Sequence, residues 1–279
     1  VDVAIRLLDI IRSIEESAVP LRPFIAWKEG ELMKQANASA ERFSKGKPLG
    51  ILDGVPVSVK DELDMLPFKT MMGTKFYSNK PPEQDATSVA RLRSAGALMV
   101  GKTNMHEIGL GVTGLNIQCG TTRNPHHLDH YPGGSSSGSA AAVAAGLSPI
   151  ALGCDGGGSI RIPASLCGVV GLKTTWGRIS TAGSAPLHWS IGSVGPITST
   201  SLDAAIAYSF LAGPDTRQSC TQDQPAVDLK NFENTNLEGV KLGIFYSWFN
   251  HASEDVVKCC EQMLNSFKSQ GAEVKEIEI

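Results

Sequence analysis

The chain has 279 residues, with 25 Lys and Arg against 28 Asp and Glu, which gives a formal net charge of −3. This slight negative charge argues against a protein that binds nucleic acid through phosphate contacts. The hydrophobic content of 42% and the charged content of 19% are typical of a folded soluble protein and exclude disorder over most of the chain.

The six cysteines are too few for a disulfide scaffold, and the adjacent Cys259 and Cys260 lie within an apolar helical pattern. We therefore expect reduced thiols and an intracellular protein, either cytoplasmic or attached to the surface of a membrane. The chain does not open with a basic segment followed by an apolar one, so nothing in it predicts a secretory signal.

Helix and strand signals alternate along the first hundred residues. Apolar residues at three- and four-residue spacing predict an amphipathic helix over 1–17, and a second helix fits 31–45. The valines of 55–59 alternate with polar residues, which predicts a strand that ends at Lys60 with the lysine on the face away from the valines. Asp85 is placed to cap the next helix.

The rest of the chain is predicted to contain a buried strand, a long loop, a polar segment and a C-terminal unit. Residues 97–100 predict a buried strand, whereas 109–138 are rich in Gly, Thr, Asn, Pro and His and predict an ordered loop. Near the C-terminus, a strand over 240–246, a helix that Ser253 caps and a strand over 272–279 form a parallel β-α-β unit. The polar segment 213–238 is a weak linker candidate, since it is rich in Asp, Gln, Asn and Pro.

Three short motifs match known sites as strings but lack the surrounding structure that those sites need. Residues 109–114 fit the dinucleotide fingerprint, yet no strand precedes them and no helix opens at their end. The histidines of 126–130 lie between two prolines, so they cannot share a helix face as metal ligands would. Residues 134–138 fit a serine nucleophile elbow, but no core strand leads into them.

A stronger signal lies between 132 and 159, where 28 residues contain 8 Gly and 6 Ser in two clusters, at 133–139 and 155–161. A helix over 140–145 and a strand over 149–152 would bring these clusters back together. Successive glycines leave backbone N–H groups free, which is how an oxyanion hole is made without side chains.

The two clusters and their neighbours resemble the amidase signature family. The matching runs are 133–142, 153–163, 167–173, 57–61 and 101–107, and the resemblance covers about residues 20–215. Within the family, the runs Thr121–Pro125 and Asp155–Pro163 are more similar to the plant-type fatty acid amide hydrolases than to the A-type subunits of the glutamyl-tRNA amidotransferases.

The resemblance implies an α/β fold, with a mixed sheet between helices in a single domain over 1–279 and its core motifs at 50–200. Family domains run considerably beyond the position that matches Ile279. We therefore expect a chain that is incomplete at its C-terminus.

The family's Ser-cisSer-Lys triad implies Ser159 as nucleophile, Ser135 as the bridging serine on a cis peptide, and Lys60 as the base. This chemistry is reasonable, because a serine hydroxyl is a poor nucleophile until a base takes its proton, and a lysine can do so only when neutral. The resemblance also implies a set of groups that hold the oxyanion and a set of supporting side chains. The oxyanion groups are the amides of Gly156, Gly157, Gly158 and Ser159, and the supports are Ser136, Asp155 and Arg161.

The function implied is hydrolysis of carboxylic amides, and of fatty acid amides in particular, through an acyl-enzyme, without a cofactor or a metal. The expected partner is a small amide substrate with an apolar acyl chain; a membrane surface and a homodimer stay open as further partners. One alternative is an amidotransferase A-type subunit, which would need a partner subunit. Another is a truncated, inactive form that serves as a binding module.

Overall fold

A computed structural model describes residues 1–185 and 187–279. The chain divides into two compact units, Val1–Val227 and Asp228–Ile279, and the boundary falls inside the polar segment 213–238 that the sequence marks as a linker. The larger unit carries all the residues predicted to be functional. The assignment of one domain to 1–279 stays a prediction.

The larger unit is built on a six-stranded sheet with the order β1-β3-β2-β4-β6-β5. The three central strands β3, β2 and β4 are parallel, while β1, β6 and β5 pair antiparallel with their neighbours. The strands are Phe24–Trp27 (β1), Pro56–Lys60 (β2), Leu98–Thr103 (β3), Ile150–Asp155 (β4), Val170–Gly171 (β5) and Ser193–Thr198 (β6).

Helices cover both faces of this sheet. They are Asp2–Glu15 (α1), Glu29–Ser44 (α2), Thr87–Ser94 (α3), Ser137–Ala144 (α4), Arg161–Cys167 (α5) and Ser201–Leu211 (α6), with short 3₁₀ turns at Glu107–Gly109 and Ser219–Thr221. On one face Val59 packs with Leu92 of α3 and Leu211 of α6. On the other, Val100 packs with Leu32 of α2. The mixed sheet between helices confirms the α/β fold that the sequence predicts.

The small side chains of α4 let this helix lie close to the sheet and the chain around it. Its first seven residues are buried. A Cβ atom on Gly138 would lie 2.2 Å from the carbonyl oxygen of Pro23, so only glycine fits at that contact. The predicted helix over 140–145 therefore begins three residues earlier, at Ser137, and the serine-rich cluster itself opens it.

The prediction that Asp85 caps α3 is wrong. The residue at the N-cap is Ala86, and no side chain caps the helix there. The carboxylate of Asp85 instead accepts a hydrogen bond from the Leu66 amide at 2.7 Å and pairs with Arg93 at 2.7 Å. The guanidinium of Arg93, in the last turn of α3, and an amide outside the helix thus take this carboxylate in place of the first amides of the helix.

The smaller unit contains the predicted parallel β-α-β arrangement. Strands Lys241–Ile244 (β7) and Glu273–Glu276 (β8) pair in parallel, and the helices Tyr246–Phe249 (α7) and Glu254–Ser269 (α8) lie between them in the chain. Ser253 stands at the N-cap of α8, but its side chain makes no capping hydrogen bond. Across the part of the chain that the structure describes, no helix is both long enough and apolar enough to cross a membrane.

Candidate active site

Lys60 is the last residue of β2, and its side chain is completely buried. Its Nζ atom lies 2.8 Å from Oγ of Ser135 and 3.2 Å from the carbonyl oxygen of Cys154. The sequence places Lys60 on the face away from the valines, and this is the face on which α4 and its serine cluster lie. Two residues that are 75 positions apart in the chain therefore meet at one hydrogen bond.

Ser135 lies in a segment whose backbone is tied to its neighbours on both sides. The peptide bond between Gly134 and Ser135 is cis. The carbonyl oxygen of Ser135 accepts a hydrogen bond from the amide of His106 at 3.0 Å. The next amide, that of Ser136, donates to the carbonyl oxygen of Ser159 at 3.1 Å, so the two Gly/Ser clusters are joined directly.

Ser159 and Ser135 both line a cavity of about 310 Å³, a volume near the lower end of the roughly 300–1,000 Å³ typical of small-molecule sites. Ser159 is half-buried, whereas Ser135 is only 1% exposed. A part of the cavity wall is apolar and is formed by Leu187, Trp189 and Val194. Ser159 is thus the more accessible of the two hydroxyls to a bound molecule.

Asp155 organises the glycine-rich loop that leads to Ser159. Its carboxylate accepts hydrogen bonds from the amides of Gly158 at 2.7 Å and Ile160 at 3.0 Å, and it forms two bonds of 3.0 Å with the guanidinium of Arg161. Burial opposes ionisation of Asp155, but these hydrogen bonds outweigh it and lower its pKa. The predicted supporting residues Asp155 and Arg161 therefore form one ion pair, and its carboxylate holds the loop through the backbone amides.

One amide of the predicted oxyanion group is already engaged. The Gly158 amide donates to Asp155, so this geometry does not offer it to a substrate. Gly158 has a φ of +133°, and a Cβ atom there would lie 2.5 Å from Ile162. A glycine is therefore needed at this position for the loop to turn. Within the described residues, no hydrogen bond uses the amides of Gly156, Gly157 or Ser159.

Ser136 lies beneath the site and has no exposed surface. Its hydroxyl donates to the carbonyl oxygen of Cys154 at 3.4 Å, the same oxygen that Lys60 contacts. This position fits the supporting role predicted for it.

Glu62 is a site residue that the sequence does not predict. Its Oε2 lies 2.8 Å from Nζ of Lys60, its side chain is 7% exposed, and it lines the cavity. Strand alternation does not predict this contact, because β2 ends at Lys60 and Glu62 lies in the turn that follows.

The three short motifs that match other sites are not assembled as those sites require. A 3₁₀ turn, and not a strand, precedes 109–114, and the segment after it is loop. His126 is held by a contact of its Nε2 with the carbonyl oxygen of Cys167 at 2.8 Å. Across 1–185 and 187–279, no group of three or more His, Cys, Asp or Glu residues is arranged to hold a metal ion.

Comparison with known proteins gives a consistent result. The model of the Amidase family matches residues 8–279. The chain is 45% identical over 280 residues to a fatty acid amide hydrolase of Medicago truncatula, a match that covers 97% of this chain and 46% of that protein. It is 42% identical over 252 residues to the A-type subunit of the glutamyl-tRNA(Gln) amidotransferase of Syntrophobacter fumaroxidans, over 89% of this chain and 52% of that protein.

A solved structure shows the same fold. The peptide amidase of Stenotrophomonas maltophilia superposes with a TM-score of 0.91 at 32% identity, over 99% of this chain and 58% of that one. The chain spans about half the length of the curated relatives it matches. Because the family model covers nearly all of the sequence, the chain belongs to the Amidase family.

Proposed function

We propose that the protein hydrolyses carboxylic amides, with Ser159 as nucleophile, Ser135 as proton relay and Lys60 as base. The observation that carries this proposal is the 2.8 Å contact between Nζ of Lys60 and Oγ of Ser135, at the wall of a cavity that Ser159 also lines. Family membership supports the same assignment.

The chemistry balances with these three side chains alone. Oγ of Ser159 bonds to the carbonyl carbon of the amide while its proton passes to Ser135, which gives its own proton to the neutral amine of Lys60. The C–N bond then breaks, and the proton returns through Ser135 to the departing nitrogen. Water repeats the same sequence on the acyl-enzyme and releases the carboxylic acid.

The oxyanion that forms in this reaction needs donors that are already in place. The amides of Gly156, Gly157 and Ser159 are the available ones, and Asp155 with Arg161 holds the loop that carries them. Donors fixed in advance stabilise the transition state more than they stabilise the substrate, because little reorganisation occurs during the reaction.

Fatty acyl amides are the substrate class that we favour. The apolar wall of Leu187, Trp189 and Val194 suits an alkyl chain, and the plant relatives named fatty acid amide hydrolases share 42–45% identity with this chain. The relatives named as A-type subunits of an amidotransferase support a second candidate, a protein that works with a partner. Capture of a partner subunit by the tagged protein would favour this second candidate.

The test is hydrolysis by the protein at its natural length. Primary amides and N-alkyl amides of short and long fatty acids serve as substrates, and a fluorophosphonate probe reports a working serine nucleophile. We expect labelling, together with a kcat/KM that rises with acyl chain length. Absence of both labelling and turnover would reject the proposal, while labelling with a preference for short amides would reject only the substrate class.

A further inference from the structure

Glu62 and Lys60 form an ion pair in a place that water barely reaches. The two side chains are 7% and 0% exposed, and Oε2 of Glu62 lies 2.8 Å from Nζ of Lys60. Of the partners of this nitrogen, the Cys154 carbonyl carries no charge and the Ser135 hydroxyl relays the proton. Within the described residues, Glu62 is the carboxylate that pairs with Lys60.

We propose that Glu62 is a positioning residue that stabilises the positive charge which Lys60 gains during acyl transfer. The inference rests on the proposed function, because it concerns the base of that reaction. Glu62 would act through Lys60 and would not itself bond to the reacting atoms.

Charge moves through this pair during the first step of the reaction. Attack requires Lys60 in its neutral form, and in that form the pair carries only the negative charge of Glu62. When the proton of Ser159 arrives through Ser135, Lys60 becomes an ammonium and the oxyanion forms in the cavity. The reaction therefore separates charge inside a nearly dry site, where a fixed carboxylate next to the new cation lowers the energy of the transition state.

The other charged groups near Lys60 are engaged elsewhere. Asp155 of β4 is paired with Arg161, and Asp61 is paired with Lys102. The thiol of Cys154, also on β4, has its pKa raised by burial and further by the charge of Glu62, with Lys60 opposing, so it stays protonated. Glu62 is left as the group that can balance the charge of Lys60.

The same carboxylate has a second, opposite effect that makes the proposal testable. A negative charge beside Lys60 favours the ammonium in the resting enzyme as well, so fewer molecules hold a neutral base at low pH. Removing the charge should therefore slow the plateau rate and move the acidic limb of the rate profile to lower pH. A side chain with only a packing role would not move this limb.

The experiment compares Glu62→Gln and Glu62→Asp with the wild type in the natural-length protein, measuring kcat and KM from pH 5 to 10. For the Gln variant we expect a plateau kcat about 100-fold lower, a KM within about threefold, and an acidic limb at lower pH. The Asp variant keeps the charge, so its limb should stay near that of the wild type even where its plateau falls. Glu83→Gln, which removes the same charge from an exposed side chain, is the matched control and should change neither quantity.

The outcomes separate the two proposals. A wild type that neither labels with fluorophosphonate nor hydrolyses amides defeats the proposed function. An active wild type with an unchanged plateau and limb in Glu62→Gln overturns the role of Glu62 alone. If the Gln variant does not fold, as thermal unfolding would show, the Asp variant decides, and a limb displaced to lower pH in that variant overturns the inference.

Discussion

Two completely buried lysines, Lys60 and Lys102, lie on the neighbouring strands β2 and β3 and each contacts a carboxylate. The register pairs Lys60 with Thr103 and Val59 with Lys102. Because side chains alternate along a strand, the two lysines point to opposite faces of the sheet. The molecule thus contains the same pair of charged groups twice, in two different surroundings.

Lys102 is surrounded by protein acceptors. Its Nζ lies 3.1 Å from Oδ1 of Asp61 and 2.8 Å from the carbonyl oxygen of Leu63, and Asp61 in turn accepts from the Gly73 amide at 3.0 Å. Burial lowers the pKa of Lys102 and raises that of Asp61, while their mutual attraction opposes both shifts. This pair does not line the cavity, so its contacts stabilise the fold and reach no substrate.

Lys60 differs in where its hydroxyl partner lies, because the Thr70 hydroxyl that Lys102 contacts at 3.4 Å does not line the cavity. Ser135 presents a hydroxyl that can both donate and accept, and Ser135 lines the cavity. A proton can therefore pass between Lys60 and a bound molecule, which no partner of Lys102 permits. Burial and a neighbouring carboxylate are common to both lysines, so the proposed role of Lys60 as a base depends on its hydroxyl route to the cavity.

The largest expected effect is that of Ser159→Ala. Loss of the nucleophile should lower kcat by at least about 10³-fold and abolish fluorophosphonate labelling. The melting temperature should barely change, because Ser159 is half-buried and Asp155 holds the loop. Ser165→Ala, on an exposed position of α5, is the control. Normal labelling of the Ser159 variant would show that another serine reacts.

The second prediction replaces each of the two lysines by methionine in turn. Lys60→Met should lower kcat by about 10³-fold and cost less stability than Lys102→Met, because the Glu62 side chain keeps an edge on the cavity whereas that of Asp61 is completely buried. Lys102→Met should destabilise the fold by roughly 3–5 kcal/mol, because it leaves Asp61 buried without a cation. Urea unfolding and steady-state rates on both variants measure the two effects. Equal losses of stability in the two variants would contradict this difference between Lys60 and Lys102.

Sequence patterns predict the part of this comparison that depends on local order. The period of two over 55–59 places Lys60 at a strand end, and the matching family motifs indicate Ser135 and Ser159 as its companions. Glu62 escaped notice because its importance arises from a contact with Lys60 just past the strand end, where the backbone path cannot be deduced from alternation. Lys102 was likewise part of a matching run with no role assigned to it.

Helix and strand bounds were predictable where the apolar pattern is long, as in α1 and α8. They were less so where contacts between distant segments decide. Asp85 accepts a hydrogen bond from the Leu66 amide and pairs with Arg93, and it does not cap α3. The amide of Gly158 donates to Asp155 and is not available to a molecule in the cavity. In both cases a carboxylate has several available donors, and only the folded chain determines which ones it takes.

A third prediction concerns Asp215, a buried carboxylate whose hydrogen bonds come from hydroxyls and a backbone amide. Burial opposes ionisation of Asp215, but hydrogen bonds from Ser180, Thr87 and the Arg217 amide outweigh it and lower its pKa to about 2. Since the folded pKa lies below the unfolded value, Asp215 stabilises the fold above about pH 4 and loses this contribution as the pH falls toward 2. The contribution is roughly 2 kcal/mol.

Replacement of this group checks the sign. Asp215→Asn should lower the free energy of unfolding at pH 7 and flatten its decline between pH 5 and 2, as measured by urea unfolding across that range. Asp228→Asn, at an exposed position where the side chain accepts one local backbone hydrogen bond, is a weaker counterpart and should leave the slope nearly as it is. An Asn variant with the wild-type slope would show that other carboxylates set the acid sensitivity.

The smallest expected effect concerns Arg161, whose side chain is 54% exposed. Arg161→Gln removes the two guanidinium bonds to Asp155 but leaves the amides of Gly158 and Ile160 on the same carboxylate. The loop should therefore keep its path with less precision, and we expect kcat to fall about tenfold with little change in stability. Arg161→Lys retains the charge without the two-pronged geometry, so it separates the two contributions. Recovery of kcat in the Lys variant would mean that charge suffices, whereas a Gln variant with full activity would show that the backbone amides alone hold the loop in its active form.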